Sequence, residues 1–450
     1  MCVQNKIKGN LMKKQKGMDR RDFIKASALG LAGVTTGLTT KPSFAELASE
    51  TELPKIKGYR TLGRTGFKVS DIGIGTSRVY PIPVMNAILD AGVNYIDTAE
   101  GYGRGAAEKN IGEAIKGRDR KSLFITTKIQ MRGVSSKEQV VEKVQQCLQR
   151  LQTDYVDCLM IPGPSTVQAL KDENFHQGMN QLKKEGKVRF VGVSNHGSRM
   201  QGQGETMETV LLGAVDDGRF DVLLLIYNFL QKEAGEKILE AAAKKNIATT
   251  IMKSDPLGRY FQTKERVEQM KKEGQTIDER MQRNITRMEE TGKKAESFIQ
   301  KNNLKNPSEI KAAALKFVLN NPKVNTLNLA FNNFDDAQNY LKLSGSGLGK
   351  TEKNMLAAFE EGCGQLYCRH ACGICESNCP HQVPVNTIMR YNHYFEANGS
   401  EKFAMEKYSK LKTPKADYCR NCAGLCEQSC PYGVPIQGLL NIAHAQLTLT

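Results

Sequence analysis

Residues 123–161 read "LFITTKIQMRGVSSKEQVVEKVQQCLQRLQTDYVDCLMI". The two ends, "LFITTKI" (123–129) and "YVDCLMI" (155–161), are short apolar runs rich in β-branched and aromatic residues. Between them, "SKEQVVEKVQQCLQRLQ" (136–152) spaces its apolar residues three and four apart. The first pattern is that of a buried strand and the second that of an amphipathic helix. Strand, helix, strand is a βαβ unit, and a helical crossover of this length joins parallel strands.

The same alternation runs on both sides. Strand candidates precede the unit at "DIGIG" (71–75) and "NYIDTA" (94–99). Others follow at "VRFVGVS" (188–194), "DVLLLIYN" (221–228), "IATTIMK" (247–253) and "VNTLNLAF" (324–331), with helical stretches such as "EAGEKILEAAAKKN" (233–246) between them. Eight such units predict a (β/α)8 TIM barrel over 58–345, with its site at the C-terminal ends of the strands. A doubly wound sheet is the competing arrangement, but it rarely runs to eight units. Residues 254–307 are long and charged, with i,i+4 charge pairs that suggest exposed helix. On the active face they form either a lid or a solvated excursion.

The chain has 450 residues, enough for two domains with their own cores. Its net charge is +16, of which residues 1–45, with nine Lys/Arg and two Asp, carry +7. The remaining +9 is spread without long basic runs or interleaved aromatics, so nucleic acid is excluded as a partner. A diffuse basic surface of this kind steers anions.

Residues 19–25, "DRRDFIK", precede a Gly- and Thr-rich run, "ASALGLAGVTTGLTT" (26–40), and "SFA" (43–45) offers small residues for cleavage. This leader resembles a twin-arginine export signal. The apolar run is too short and weak for a stable membrane span. The expectation is a protein handled by the twin-arginine machinery and delivered to the periplasm or otherwise exported. That route carries folded proteins, which suits a cofactor built in before export.

Nine of the twelve cysteines fall between 363 and 430; Cys2, Cys147 and Cys158 are scattered. Two quartets stand out, Cys368-x3-Cys372-x2-Cys375-x3-Cys379-Pro380 and Cys419-x2-Cys422-x3-Cys426-x3-Cys430-Pro431. Four cysteines within a dozen residues and closed by Cys-Pro match the bacterial ferredoxin run, with one residue more in each copy. Three thiolates curl around three corners of a cubane, and the fourth reaches the other cluster. The ligand sets are then Cys368, Cys372, Cys375 and Cys430 for one 4Fe-4S cluster, and Cys419, Cys422, Cys426 and Cys379 for the other. Zinc, which favours separated pairs, and disulfides are the alternatives. Cys363 has no counterpart in the repeat and reads as a spare. Pro384 and Pro435 stand where a helix begins after each quartet. No strand pattern precedes either quartet, so residues 350–450 are expected to form an all-helical ferredoxin-like domain.

"YRTLGRTGFKVSDIGIGT" (59–76), "NYIDTAEGYGRG" (94–105), "FITTK" (124–128) and "GKVRFVGVSN" (186–195) together resemble the aldo-keto reductases, and the cysteine-rich tail resembles that of the family's iron–sulfur members. The resemblance implies carbonyl/alcohol redox chemistry on a small molecule, with Asp97, Tyr102 and Lys128 as the proton machinery. A phenol can donate the proton, an ammonium beside it favours the phenolate, and a carboxylate holds the ammonium. The resemblance further implies NADP(H). Ser194 and Asn195 match the contacts to the nicotinamide amide, Tyr227 the end of strand six, and Met252 and Lys253 the point where strand seven meets the cofactor. Departures are equally specific. Pro162 stands where the family has a catalytic histidine, and His176 in the following helix reads as a surface residue. Leu224 stands for a glutamine, and "FNNFDDAQN" (331–339) for a Gly/Ser-rich phosphate loop. Two functions follow. One is an exported oxidoreductase whose clusters relay electrons from a redox partner protein. The other is a non-catalytic or electron-transfer protein on a degenerate barrel.

Overall fold

The protein is described by a computed structural model. It describes residues 53–197, 204–256, 307–396, 400–412 and 414–448, with 286 and 300–301 besides. The stretch expected to be an export leader and nearly all of the charged connection 257–306 lie outside the described residues. Leu53–Thr450 is one compact unit.

A hairpin of β1 (Tyr59–Thr61) and β2 (Lys68–Ser70) precedes the barrel. The barrel strands are β3 (Ile72–Gly75), β4 (Tyr95–Asp97), β5 (Phe124–Lys128), β6 (Val156–Pro162), β7 (Val188–Asn195), β8 (Val222–Ile226), β9 (Ala248–Met252) and β10 (Thr326–Leu329). They close in chain order, all parallel, with β10 against β3. Each of the eight predicted strands is present. The helices over the barrel are α1 (Ile82–Asp90), α2 (Ala106–Ile115), α3 (Lys137–Leu151), α4 (Glu173–Lys184), α5 (Met207–Asp217), α6 (Glu233–Lys244), α7 (Pro307–Leu319) and α8 (Phe334–Leu341). In α3 the Ser136 side chain caps the helix by accepting from Gln139 N, and Val140, Val144, Cys147, Leu148 and Leu151 form the buried stripe. Capping and periodicity therefore agree along this segment.

Strand side chains alternate across the sheet, so register decides what the barrel encloses. Tyr95 pairs with Phe124 and Asp97 with Thr126. Thr126 pairs with Cys158 and Lys128 with Met160. Tyr95, Phe124, Cys158, Met160, Val222 and Leu224 make the interior cluster, closed from below by Leu62 and Val69 of the hairpin segment. Continuing two residues at a time, the inward row reaches Asp97 on β4, Lys128 on β5, Pro162 on β6 and Ser194 on β7. The parity of apolar packing thus delivers these four to the mouth.

After the barrel, α9 (Lys350–Cys363) leads into a tail containing α10 (Val385–Glu396), α11 (Glu401–Ser409), α12 (Leu425–Gln428) and α13 (Ile436–Leu447), with only short 3-10 turns besides. No strand occurs in it among the described residues, as expected for an all-helical domain. Its core joins Ile388, Tyr408, Leu440 and Ala443 to several of the cysteines.

Candidate functional site

Lys128 and Asp97 are buried at the mouth, 2 % and 5 % exposed. Lys128 Nζ donates to Asp97 Oδ1 and Oδ2 and to the Thr98 carbonyl, each at 2.7 Å. All three ammonium protons are thereby committed. Tyr102 stands in the turn after β4, with Lys128 Nζ 5.4 Å from its ring centre. Burial, then the Asp97 carboxylate and the Tyr394 and Tyr80 phenols, push the Tyr102 phenol well above its usual range. This corrects the expected lowering by Lys128: an ammonium fully engaged by Asp97 does not offset desolvation of the phenolate. Tyr102 stays a protonated donor. Burial also raises the Asp97 carboxyl, opposed by Lys128.

The expected cofactor residues part company. Ser194 is buried and pairs with Pro162 across β6 and β7. Asn195 Nδ2 donates to the Pro164 carbonyl, and its Oδ1 accepts from Gly197 N. Tyr227 follows β8 on the outward parity of Leu223 and Leu225. Its hydroxyl meets Glu236 and Asn321, and its ring lies 5.4 Å from that of Phe317. The structure thus turns Tyr227 into the helical layer, a correction to its expected place at the mouth. Met252 shares the inward parity of β9. Lys253 beyond it has a φ of +54° and is held through its carbonyl by Asn228 Nδ2. Left-handed backbone on a long side chain is strain of the kind retained at functional positions. His176, expected at the surface, is instead buried, its Nε2 2.7 Å from the Leu170 carbonyl and its ring edge-on to Phe175. It is a core residue of α4, remote from the mouth.

Tail residues sit over the ends of β7, β8 and β9. His370 N donates to Gln231 Oε1, while Gln231 Nε2 donates to the His370 carbonyl. Lys253 Nζ lies 3.3 Å from His370 Nδ1, and His370 packs edge-on to His393 at 5.0 Å. Arg390 donates to the Gly197 carbonyl. A Cβ on Gly197 would stand 2.4 Å from that of Ala371, so the loop between Cys368 and Cys372 lies directly on the end of β7. The tail thus covers part of the β7 end at Gly197, and Asn195, expected to contact the nicotinamide amide, is engaged within the chain. These residues do not fit NADP(H) in the expected pose.

The cysteines show the repeat in three dimensions. Asn386 N donates to Glu376 Oε1 at 2.7 Å, and Gln437 N donates to Glu427 Oε1 at 2.7 Å. Each glutamate follows a quartet cysteine, and each amide opens the following helix. Asn386 reaches back to Ala371 N and the Arg369 carbonyl, and Gln437 to the Cys419 and Cys422 carbonyls. Cys368, Cys372, Cys375 and Cys430 line one narrow cavity together with Arg369, Tyr432 and Ile436. Cys419 has Cys426, Cys379 and Cys422 as its electrostatic neighbours. Burial first, then the neighbouring thiols, pushes the Cys419 thiol up, and burial, then Glu427, Cys379 and Cys422, pushes the Cys426 thiol up to about 12. Cys430 thus lies with the first three cysteines of the other quartet around one cavity, and Cys379 acts on Cys419 and Cys426 of the second. Among the described residues no three His, Cys, Asp or Glu gather as a one-ion site, and no disulfide forms. A cubane's thiolates stand farther apart than the ligands of one ion. Buried thiols that raise one another's pKa suit a polynuclear cation, whose charge favours the thiolates. The donor sets fit 4Fe-4S clusters. Cys363 lies apart, packed with Phe229, Phe359 and Leu366.

Among the described residues no helix is long and apolar enough to cross a membrane. Residues 65–359 match the Aldo/keto reductase family. Aldo-keto reductase YhdN of Bacillus subtilis is 31 % identical over 213 residues, 43 % of this chain and 60 % of that protein. Methylglyoxal reductase DkgB of Escherichia coli O157:H7 is 38 % identical over 128 residues, 27 % of this chain and 46 % of that protein. The chain thus spans about half the length of the curated relatives it matches. Among solved structures, aldo-keto reductase AKR11C1 from Bacillus halodurans aligns at 20 % identity and a TM-score of 0.48, covering 68 % of this chain and 96 % of that one.

Proposed function

The chain belongs to the aldo/keto reductase family, and on that premise we propose that it is an exported oxidoreductase that reduces a small carbonyl compound with electrons relayed by two 4Fe-4S clusters. The observation that carries this reading is the buried Lys128–Asp97 pair set beneath the Tyr102 ring, with the cysteine-bearing tail seated on the same barrel face. Reduction of a carbonyl to an alcohol takes two electrons and two protons. Tyr102 donates one proton to the carbonyl oxygen, and burial keeps the phenol protonated until it does so; the second proton, at the carbonyl carbon, comes from water. Lys128, held in place by Asp97, is the cation beside the phenolate left behind. When bound, the clusters supply electrons one at a time, received from a redox partner protein. The partly covered β7 end and the outward Tyr227 speak against a nicotinamide at the expected place. Because the leader resembles a twin-arginine signal, the protein works in the periplasm or otherwise outside the cytoplasm.

The competing reading, a non-catalytic electron carrier, has Pro162 in its favour. The experiment uses full-length protein purified without oxygen, assayed for iron, acid-labile sulfide and EPR signals. Methylglyoxal, the substrate in a relative's name, is then offered with a reduced viologen dye and, separately, with NADPH. Dye-driven turnover that falls at least 100-fold in Tyr102→Phe supports the enzyme. Iron-free protein, or turnover indifferent to Tyr102, defeats it.

A further inference from the structure

We propose that His196 is the catalytic residue that binds the substrate's carbonyl oxygen, taking the role that Pro162 cannot perform. The inference rests on the carbonyl-reductase reading above and names a residue for it. Pro162 pairs with Ser194, Gly163 N donates to the Ser194 carbonyl at 2.7 Å, and Asn195 Nδ2 bonds the Pro164 carbonyl. The ends of β6 and β7 are thus tied together. His196 follows two residues after the inward-facing Ser194 and so extends the inward row of the strand beside the one that carries Pro162.

His196 Nδ1 is buried and has no hydrogen-bond partner. An unpaired buried nitrogen is costly, about 1–3 kcal/mol, so its retention points to a ligand that completes it. Three cations, Lys253, Arg390 and Lys128, lie within its electrostatic reach. Burial and these charges keep the ring neutral. A neutral imidazole carries one N–H, able to donate to a carbonyl oxygen, and cannot compete with Tyr102 as the acid. Tyr102 follows β4 and His196 follows β7, while Lys128 on β5 lies 5.4 Å from the Tyr102 ring and its charge also acts on His196. A carbonyl oxygen between the two receives a hydrogen bond from His196 and a proton from Tyr102.

The test uses the anaerobic, cluster-loaded full chain with methylglyoxal and a reduced viologen dye. His196→Ala is expected to lower kcat/KM about 100-fold or more, the loss typical of one donor to a developing oxyanion. His196→Asn, whose side-chain amide approximates Nδ1, recovers at least 10-fold of that loss. Pro162→His in the His196→Ala background also restores turnover, because it returns an imidazole to the neighbouring strand end. Melting temperature and cluster EPR spectra are read for every variant. If the Ala protein melts early, the Asn protein and the Pro162→His rescue decide. Turnover within threefold of wild type in His196→Ala, while Tyr102→Phe abolishes it, overturns this inference and leaves the carbonyl-reductase reading standing. Turnover indifferent to both residues overturns the two together.

Discussion

Replacing Lys128 by methionine keeps the length of the side chain and removes its charge. Lys128 and Asp97 are 2 % and 5 % exposed and bonded at 2.7 Å through both carboxylate oxygens. At that separation and an effective dielectric of about 20, their attraction is about 6 kcal/mol. Part of it is recovered, since the variant no longer buries an ammonium. Breaking a buried pair on one side generally costs about 3–5 kcal/mol, and Lys128→Met is expected to fall in that range at pH 8. The loss is pH-dependent with a definite sign. In the variant, burial alone acts on Asp97 and holds its folded-state pKa above the unfolded value. A carboxyl raised in this way destabilises at high pH and is relieved as protonation proceeds. The deficit therefore shrinks on going from pH 8 towards pH 5.5. Because the chain contains no tryptophan, urea unfolding is followed by far-UV circular dichroism. The double variant with Asp97→Asn closes the cycle and should cost less than the two single changes added together. A cost below about 1 kcal/mol at pH 8, or strict additivity in the double variant, would refute the buried-pair argument.

Other outcomes follow from the same geometry. Cys430→Ser should remove the cluster held with Cys368, Cys372 and Cys375 and spare the other. Iron per chain and EPR spin would then fall by about half, whereas Cys363→Ala should leave both unchanged; equal iron loss from the two would break the assigned pairing. Gly197→Val forces a Cβ to within 2.4 Å of Ala371 at a φ of +83°. It should destabilise by about 1–3 kcal/mol and speed hydrogen exchange in residues 368–372, and unchanged exchange would remove the argument that this loop lies on β7. Arg20→Lys with Arg21→Lys should leave the precursor in the cytoplasm on cell fractionation, and undiminished export would end the twin-arginine reading.

Periodicity made much of the site legible before any coordinates. Inward parity on β4 and β5 was sufficient to bring Asp97 and Lys128 together, because both strands must bury alternate residues and their order follows chain order. The crossing of the cysteine quartets is an expectation from ferredoxin-like spacing, and Cys430 does share a cavity with Cys368, Cys372 and Cys375. Tyr227 was misplaced although the signal existed: counted from Val222, it falls on the outward row. His196 was passed over one residue beyond the quoted "GVSN", again on a parity the strand already declared. His176 read as a surface residue because a lone histidine on a mostly polar helix gives no sign that Leu170, Phe175 and Phe220 will enclose it.

By itself the sequence determined the barrel and the helical tail, because these depend on local period and on strand order; it pointed to the eight cysteines by their spacing, and to Tyr102, Lys128 and Asp97 through the resemblance to the aldo-keto reductases. Only the tertiary structure decided that the tail covers β7, β8 and β9, bringing His370, Arg390 and Tyr394 to a mouth built from residues far earlier in the chain. It also decided the protonation of Tyr102. That balance depends on how deeply the phenol is buried and on whether the ammonium beside it is already spent on Asp97, and neither quantity is local to any stretch of chain.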